Sequence, residues 1–187
     1  NNTVVAGRGA NFRGYYDINN NSVSASTMVD MKTKHGGDIS NNDILVNGVN
    51  GQIFLRTLGY TDGQNVRHSG NIENNTVEAE NVMLDAEYGI VGGEYHAWKM
   101  ANLTAQNIDS ANVTAHDANL TTMVREHPEY QSRMTNTSVA AISSAVLAAM
   151  DGGMAGLTVT AETGFINATA NGDVTNSVFS AATNLDL

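Results

Sequence analysis

A mainly β chain wound as a solenoid is the fold class this sequence predicts, with a β-sandwich as the alternative, and three observations point there. The first is the stretch ANLTAQNIDSANVTAHDANL at 101–120, in which an apolar residue follows an Asn four times: Asn102-Leu103, Asn107-Ile108, Asn112-Val113 and Asn119-Leu120. The first two steps are five residues and the last is seven. This is neither the three-and-four spacing of a helix nor the strict alternation of an ordinary strand. A short repeat of small, polar and branched residues suits a chain that coils and stacks each coil on the one before. Inward Leu, Ile and Val would form the core, with Asn and Thr outside or at the corners. The second is TVEAENVMLDA at 76–86, where Val77 and Ala79 alternate with Glu78 and Glu80, and Val82, Leu84 and Ala86 continue out of phase. That shift reads as a corner near Asn81. Glu80-Asn81-Val82 precedes Ala101-Asn102-Leu103 by a plausible coil length. The third is composition. Charged residues are 15% and aromatics 6%, Pro occurs once and Gly 18 times, and there are 24 Asn, 18 Thr and 12 Ser. Low charge with such polar bias is common in secreted β-rich surface proteins.

The 187 residues suffice for one domain with a buried core. Three stretches are expected: a solenoid-like region over 1–120, a helical insertion or cap over 121–152, and a return to β sequence over 153–187. In the first, Val4-Val5, Phe12, Tyr15-Tyr16, Ile18 and the run 22–29 read as strands broken by Gly7, Gly9 and Asn19-Asn20-Asn21. Ile39, Ile44-Leu45-Val46 and Ile53-Phe54-Leu55 are short β runs between Asn and Gly turns. Thr61-Asp62-Gly63-Gln64-Asn65 is a further turn-rich patch.

The second stretch reads as helical. Val139, Ile142, Val146 and Met150 follow 3-4-4 spacing among five alanines, an N-cap is available among Asn136, Thr137 and Ser138, and Gly152 or Gly153 would end the helix. A shorter helix around Pro128–Met134 would complete a hairpin. From Leu157 alternation returns through Val159 and Ala161, then Phe165-Ile166, Ala168 and Ala170, with a turn at Asn171-Gly172-Asp173.

The phrase TAETGFINATANGDV at 160–174 resembles the filamentous-haemagglutinin type of adhesin repeat, and 101–120 resembles the A-[DN]-L-x-x pentapeptide repeat. Both resemblances imply an irregular right-handed β-solenoid. Low charge, Asn and Thr richness and abundant sequons also resemble archaeal sheath and surface-layer subunits in composition.

Net charge is −10, which argues against nucleic acid and anionic membrane surfaces as partners. Lys32, Lys34 and His35 form the one cluster of positive charge and read as a solvated loop. With no Cys there is no disulfide or thiol chemistry. The chain opens on Asn1, which suggests a removed leader or a fragment, and no apolar run is long enough to span a membrane.

Asn-x-Ser/Thr occurs at Asn1, Asn20, Asn74, Asn102, Asn112, Asn119, Asn136 and Asn167. These are candidate glycosylation positions on an extracellular protein. Asp38 and Asp43, with Asn41 and Asn42, offer hard oxygen atoms that suit calcium, although the EF-hand spacing and a distal Glu are missing. An ordinary turn accounts for them as well, and no other cofactor is expected. Glu94, His96 and Trp98 would share one face of a strand, and Tyr95 and Trp98 are candidate sugar or subunit contacts. No G-x-S-x-G, H-E-x-x-H or phosphate loop is present, and the five His residues have no ligand spacing, so an enzyme is not expected.

The sequence thus predicts a structural subunit of an extracellular, cell-surface polymer (sheath, surface layer, filament or tube) that self-assembles through β-edge contacts. Its partners would be copies of itself, with surface glycans as a further candidate. The alternative is a carbohydrate-binding adhesin or phage tail-fibre domain.

Overall fold

The computed structural model describes residues 2–124 and 131–187. The chain winds through nine turns, the first eight laying strands against three faces and the ninth against two. Turn 1 holds β1 (Asn2–Ala6), β2 (Gly9–Gly14) and β3 (Ile18–Asn19). Turn 2 holds β4 (Asn21–Ala25), β5 (Met28–Thr33) and β6 (Ile39–Ser40). Turn 3 holds β7 (Asp43–Val46), β8 (Gln52–Arg56), a side hairpin of β9 (Tyr60–Thr61) and β10 (Arg67–His68), and β11 (Ile72–Glu73). In turns 4 to 7 a single long strand covers the first two faces and a short one the third: β12 (Thr76–Asp85) and β13 (Gly89–Val91), β14 (Glu94–Ala105) and β15 (Asn107–Asp109), β16 (Asn112–Thr122) and β17 (Arg133–Thr135), β18 (Ser138–Ala149) and β19 (Met154–Ala155). Turn 8 holds β20 (Thr158–Ala161), β21 (Ile166–Ala170) and β22 (Val174–Thr175), and turn 9 holds β23 (Val178–Ala181) and β24 (Leu185–Asp186).

Every pairing between turns is parallel, and the only antiparallel pair among the described residues is the β9–β10 hairpin. Parallel stacking of successive turns is the solenoid expectation and removes the sandwich alternative, whose sheets are antiparallel. Each strand alternates inward and outward because solvent covers the outer side of every face.

The core is a set of columns along the axis. On face 1 one column runs Val4, Val23, Ile44, Val77, Tyr95, Val113, Val139, Val159, Phe179. On face 2 another runs Phe12, Met31, Leu55, Leu84, Leu103, Leu120, Leu147, Ala168. On face 3 a third begins Ile18, Ile39, Ile72, Ile90, Ile108 and ends Met134, Met154, Val174. Leu103, Ile108, Val113 and Leu120, the apolar partners of the Asn repeat, are all buried. The five-residue step therefore carries the chain from one face to the next, while the repeat itself is a whole turn. Val82 pairs with Ala101, so the coil is shorter than the spacing of Glu80-Asn81-Val82 from Ala101-Asn102-Leu103 suggested. The corner expected near Asn81 is present as a register shift between Ala79 and Asn81.

The expected helix over 139–150 is overturned: this segment is β18, and no helix occurs among the described residues. Val139 points inward, but Ile142 and Met150 of the supposed apolar stripe are exposed. The inward residues are Val139, Ala141, Ala145, Leu147 and Ala149. Alanine here fills narrow columns, since Ala115 and Ala118 on the preceding turn pair with Ala141 and Ala145. Packing between turns overrides intrinsic helix preference. The supposed N-cap is a solenoid corner, with Asn136 at φ +49°. Of the shorter helix around Pro128–Met134, residues 128–130 lie outside the described residues, and Arg133 and Met134 belong to β17. Residues 133–149 thus continue the same stack as the turns before and after them.

One corner explains much of the Asn excess. Between face 3 and face 1, Asn20, Asn41, Asn74, Gly92, Ser110, Asn136, Gly156 and Asn176 occupy the same place, and all have positive φ. Asn, Gly and, less readily, Ser are the residues that tolerate this left-handed conformation. The next position points inward. In the early turns it is Asn21, Asn42 and Asn75, linked by Asn21 Nδ2 donating to Asn42 Oδ1 and Asn42 Nδ2 donating to Asn75 Oδ1, both at 2.9 Å. The following residue starts face 1 and is Ser22, Thr76 or Ser138 after three of these asparagines. The sequons at Asn20, Asn74 and Asn136 therefore arise from corner geometry.

Candidate functional site

Three surface features stand out. The first comprises the two ends of the stack. β1 and β2 pair with turn 2 and β23 and β24 with turn 8, and among the described residues their other edges have no strand partner. Val4, Ala6 and Phe12 at one end, and Phe179 and Ala181 at the other, pack against the core but are only partly buried. Leu185 and Leu187 are exposed. Turn 1 carries Arg8, Arg13 and Asp17, whereas turns 8 and 9 carry Glu162, Asp173 and Asp186.

The second is an aromatic stack at the corner between faces 2 and 3. Ring centroids lie 5.3 Å apart for Tyr15 and His35, 4.3 Å for His35 and Tyr60, and 6.3 Å for Tyr60 and His68. Lys34 Nζ sits 5.8 Å from the Tyr15 centroid. The solvated loop read at Lys32, Lys34 and His35 thus holds the middle of a stack spanning turns 1 to 3. Residues so far apart in sequence meet because the β9–β10 hairpin folds Tyr60 and His68 back over the preceding turns. Asp62 shapes that hairpin: its Oδ1 accepts from Gln64 N and Val66 N, both at 2.9 Å, and Oδ2 lies 3.2 Å from His68 Nε2. These bonds, the Val66 amide first, hold its carboxyl below the usual range.

The third is the corner between faces 1 and 2. Here β12 spends one residue, Glu80, between Ala79 and Asn81, and β14 spends two, Trp98 and Lys99, between the partners Ala97 and Met100. β16 returns to one, His116, and β18 again spends two, Ile142 and Ser143. An extra residue at a bend is a bulge, which pushes a side chain outward. Trp98 is 44% exposed and Ile142 46%. His96 meets Trp98 edge to face at 6.3 Å. On the intervening turn His116 Nδ1 lies 2.9 Å from Asp117 Oδ2, and Ser144 Oγ donates to Asp117 Oδ1 at 2.6 Å. The Ser144 hydrogen bond, followed by that of His116, holds the Asp117 carboxyl below its ordinary value.

The residues singled out from sequence fare unequally. Glu94, His96 and Trp98 do share the outer side of β14. Tyr95 does not: it is 1% exposed in the face 1 column, its hydroxyl donates to Gly92 O at 3.1 Å, and burial pushes its phenol up. It is therefore closed to sugar or subunit contact as a side chain, because strand alternation sends it opposite to Trp98. Asp38 and Asp43 stand on different faces. Asp38 Oδ1 accepts from Asn71 N at 2.7 Å, while Asp43 opens β7 on face 1. Among the described residues no group of three or more His, Asp or Glu is placed to hold a metal ion.

Of the sequons, Asn20, Asn74, Asn112 and Asn136 are exposed, while Asn102, Asn119 and Asn167 are half-buried on face 2. Asn119 Nδ2 donates to Asn102 Oδ1 at 3.0 Å. Asn1 lies outside the described residues. Sequence reasoning missed Tyr15, Tyr60 and His68 as one cluster, and His116, Asp117 and Ser144 as another. Only the register of distant turns assembles them. No helix among the described residues is long and apolar enough to cross a membrane. No family model, curated protein or solved structure matches the chain.

Proposed function

We propose that this chain is a structural subunit of an extracellular polymer, in which the last turn of one copy stacks on the first turn of the next. The observation that carries the reading is that the two ends continue the same columns. Phe179 belongs to the column that begins at Val4, Ala181 to that of Ala6, and Leu185 to that of Ala10. Stacked in register, Phe179 would meet Val4, Leu185 would meet Ala10 and Ala181 would meet Ala6. The edges would then exchange the hydrogen bonds that bare strand edges otherwise offer to any chain.

Two further features favour this register. Within the chain the Asn21 and Asn42 amides each donate to the side chain of the next corner, at 3.0 and 2.9 Å. Asn2 of a following copy occupies the same place beyond Ser177. Arg13 pairs with Asp30 on the next turn at 2.5 Å, and Asp186 lies in the same outer column as Asp30. A following copy would seat its Arg13 over the turn that carries Asp186, on the side of Arg13 opposite its own Asp30. Such head-to-tail contact does not close on itself and yields an open filament, with the durability of continuous cross-strand pairing.

Negative-stain electron microscopy of the purified 187-residue protein tests this. Long unbranched rods with a diffraction spacing of about 4.8 Å along the axis are expected. Ala181→Lys, which places a charge in the end column, should abolish rods while leaving the circular dichroism of the fold intact. Monodisperse single particles of the unaltered chain at high concentration would sink the reading.

A further inference from the structure

We propose that the corner between faces 1 and 2 carries a binding notch for a neutral glycan, centred on turn 6. The argument starts from the alternating bulges. Turns 5 and 7 each spend two residues at this corner and turn 6 spends one. Two raised walls, Trp98 with Lys99 and Ile142 with Ser143, therefore flank His116. The walls stand two strand spacings apart, about 9–10 Å.

The chemistry of walls and floor is complementary to a sugar. A pyranose has one face of C–H bonds, which packs on an aromatic ring, and a rim of hydroxyls that need directional partners. Trp98 supplies an exposed ring that His96 steadies edge-on. The floor is pre-ordered, since Asp117 is bound by Ser144 on one oxygen and His116 on the other. An imidazole whose Nδ1 faces a carboxylate presents Nε2 outward. His116 Nε2 has no partner among the described residues, and this nitrogen is the group that would meet a sugar hydroxyl. The neighbouring notch on turn 4 is different. There Glu80 is already engaged, with Lys99 Nζ at 3.7 Å from its Oε1 and Asn50 N donating to its Oε2. Of these two notches among the described residues, the one on turn 6 combines an aromatic wall with an unspent polar group.

Charge selects the class of glycan. The chain carries −10, the floor of the notch holds the Asp117 carboxylate, and the one cation of its walls, Lys99, is drawn to Glu80. A uronate or sulfated chain would be repelled, so the ligand is a neutral one. The site faces sideways from the stack axis and stands whether or not copies polymerise.

Trp98 is the single tryptophan of the chain, so its fluorescence reports this notch alone. Neutral hexasaccharides of glucose, mannose, galactose and N-acetylglucosamine are titrated against the folded protein, with polygalacturonate as the acidic comparison. At least one neutral hexasaccharide should shift Trp98 emission saturably and bind by calorimetry, and polygalacturonate should not. Trp98→Ala should remove the calorimetric signal, and His116→Ala should weaken binding by about tenfold. Both side chains are exposed, so circular dichroism should show each variant folded. Absence of calorimetric binding for every neutral hexasaccharide at millimolar concentration would overturn the proposal. So would binding that survives Trp98→Ala and His116→Ala together, or binding of polygalacturonate alone.

Discussion

Asn42 Nδ2 donates to Asn75 Oδ1 at 2.9 Å inside the stack, although a whole turn with its hairpin lies between them in sequence. Asn75 Oδ1 also accepts from the Asn42 amide, and Asn75 Nδ2 donates to Ile39 O at 2.8 Å. Asn42 itself accepts from the Asn21 amide and side chain. Replacing Asn42 by Ala strands several buried groups at once. Each buried group left unpaired costs about 1–3 kcal/mol. Urea unfolding of Asn42→Ala should therefore show a loss well above that of Asn2→Ala, which sits at the open end of the same ladder. Equal losses would mean that the ladder contributes nothing specific.

The left-handed corner gives a second prediction. Asn74 and Gly92 are stacked corner residues at φ +50° and +60°. A Cβ at Gly92 would collide with Asn74 Oδ1. That oxygen ends an exposed side chain that can turn away, so Gly92→Ala should cost roughly the 1–2 kcal/mol of the left-handed conformation. Asn74→Gly should change stability by only a few tenths of a kcal/mol, since glycine adopts this φ freely. Thermal melts of the two variants check the contrast, and similar melting points would contradict it.

The parts of the fold that were legible in sequence are those written within a single turn. Val77 to Ala86 shows strand, corner and strand because inward and outward positions alternate and the corner resets their phase. Leu103, Ile108, Val113 and Leu120 show themselves as core because each follows an Asn that faces out. The segment 138–149 misleads because its inward side is mostly alanine, a residue chosen by the alanines of neighbouring turns, and alanine is also the best helix former. Tyr95 was misplaced with Trp98 although alternation separates them. The corner notch was invisible because Asp117 meets Ser144 only through the register of turns 6 and 7, which a turn of irregular length hides.

Substitutions on β18 separate strand from helix directly. Leu147 is 1% exposed in the face 2 column, whereas Ile142 is exposed at the corner. Leu147→Ala should cost about 2–5 kcal/mol through lost burial and the cavity left behind. Ile142→Ala should stay within about 0.5 kcal/mol. On a helix with the 3-4-4 stripe the order would be reversed, so a larger loss at Ile142 would overturn the strand register.

The acid limb of stability carries a signature of Asp117. Its folded carboxyl is held below the ordinary value, first by the Ser144 hydroxyl and then by His116. A depressed folded value means that the contribution is fully present above the unfolded value, about 3.9 for an aspartate. It is lost as pH falls through the folded value, below the usual carboxylate range. The contribution is small because the carboxylate is near solvent, where water screens it. Ser144→Ala removes the leading cause, so a carboxyl-detected NMR titration should place the Asp117 midpoint higher in that variant than in the unaltered protein. His116→Ala should raise it as well, by less. A midpoint that ignores Ser144→Ala would show that the short hydroxyl contact does not order the corner, and the pre-arranged floor of the notch would lose its basis.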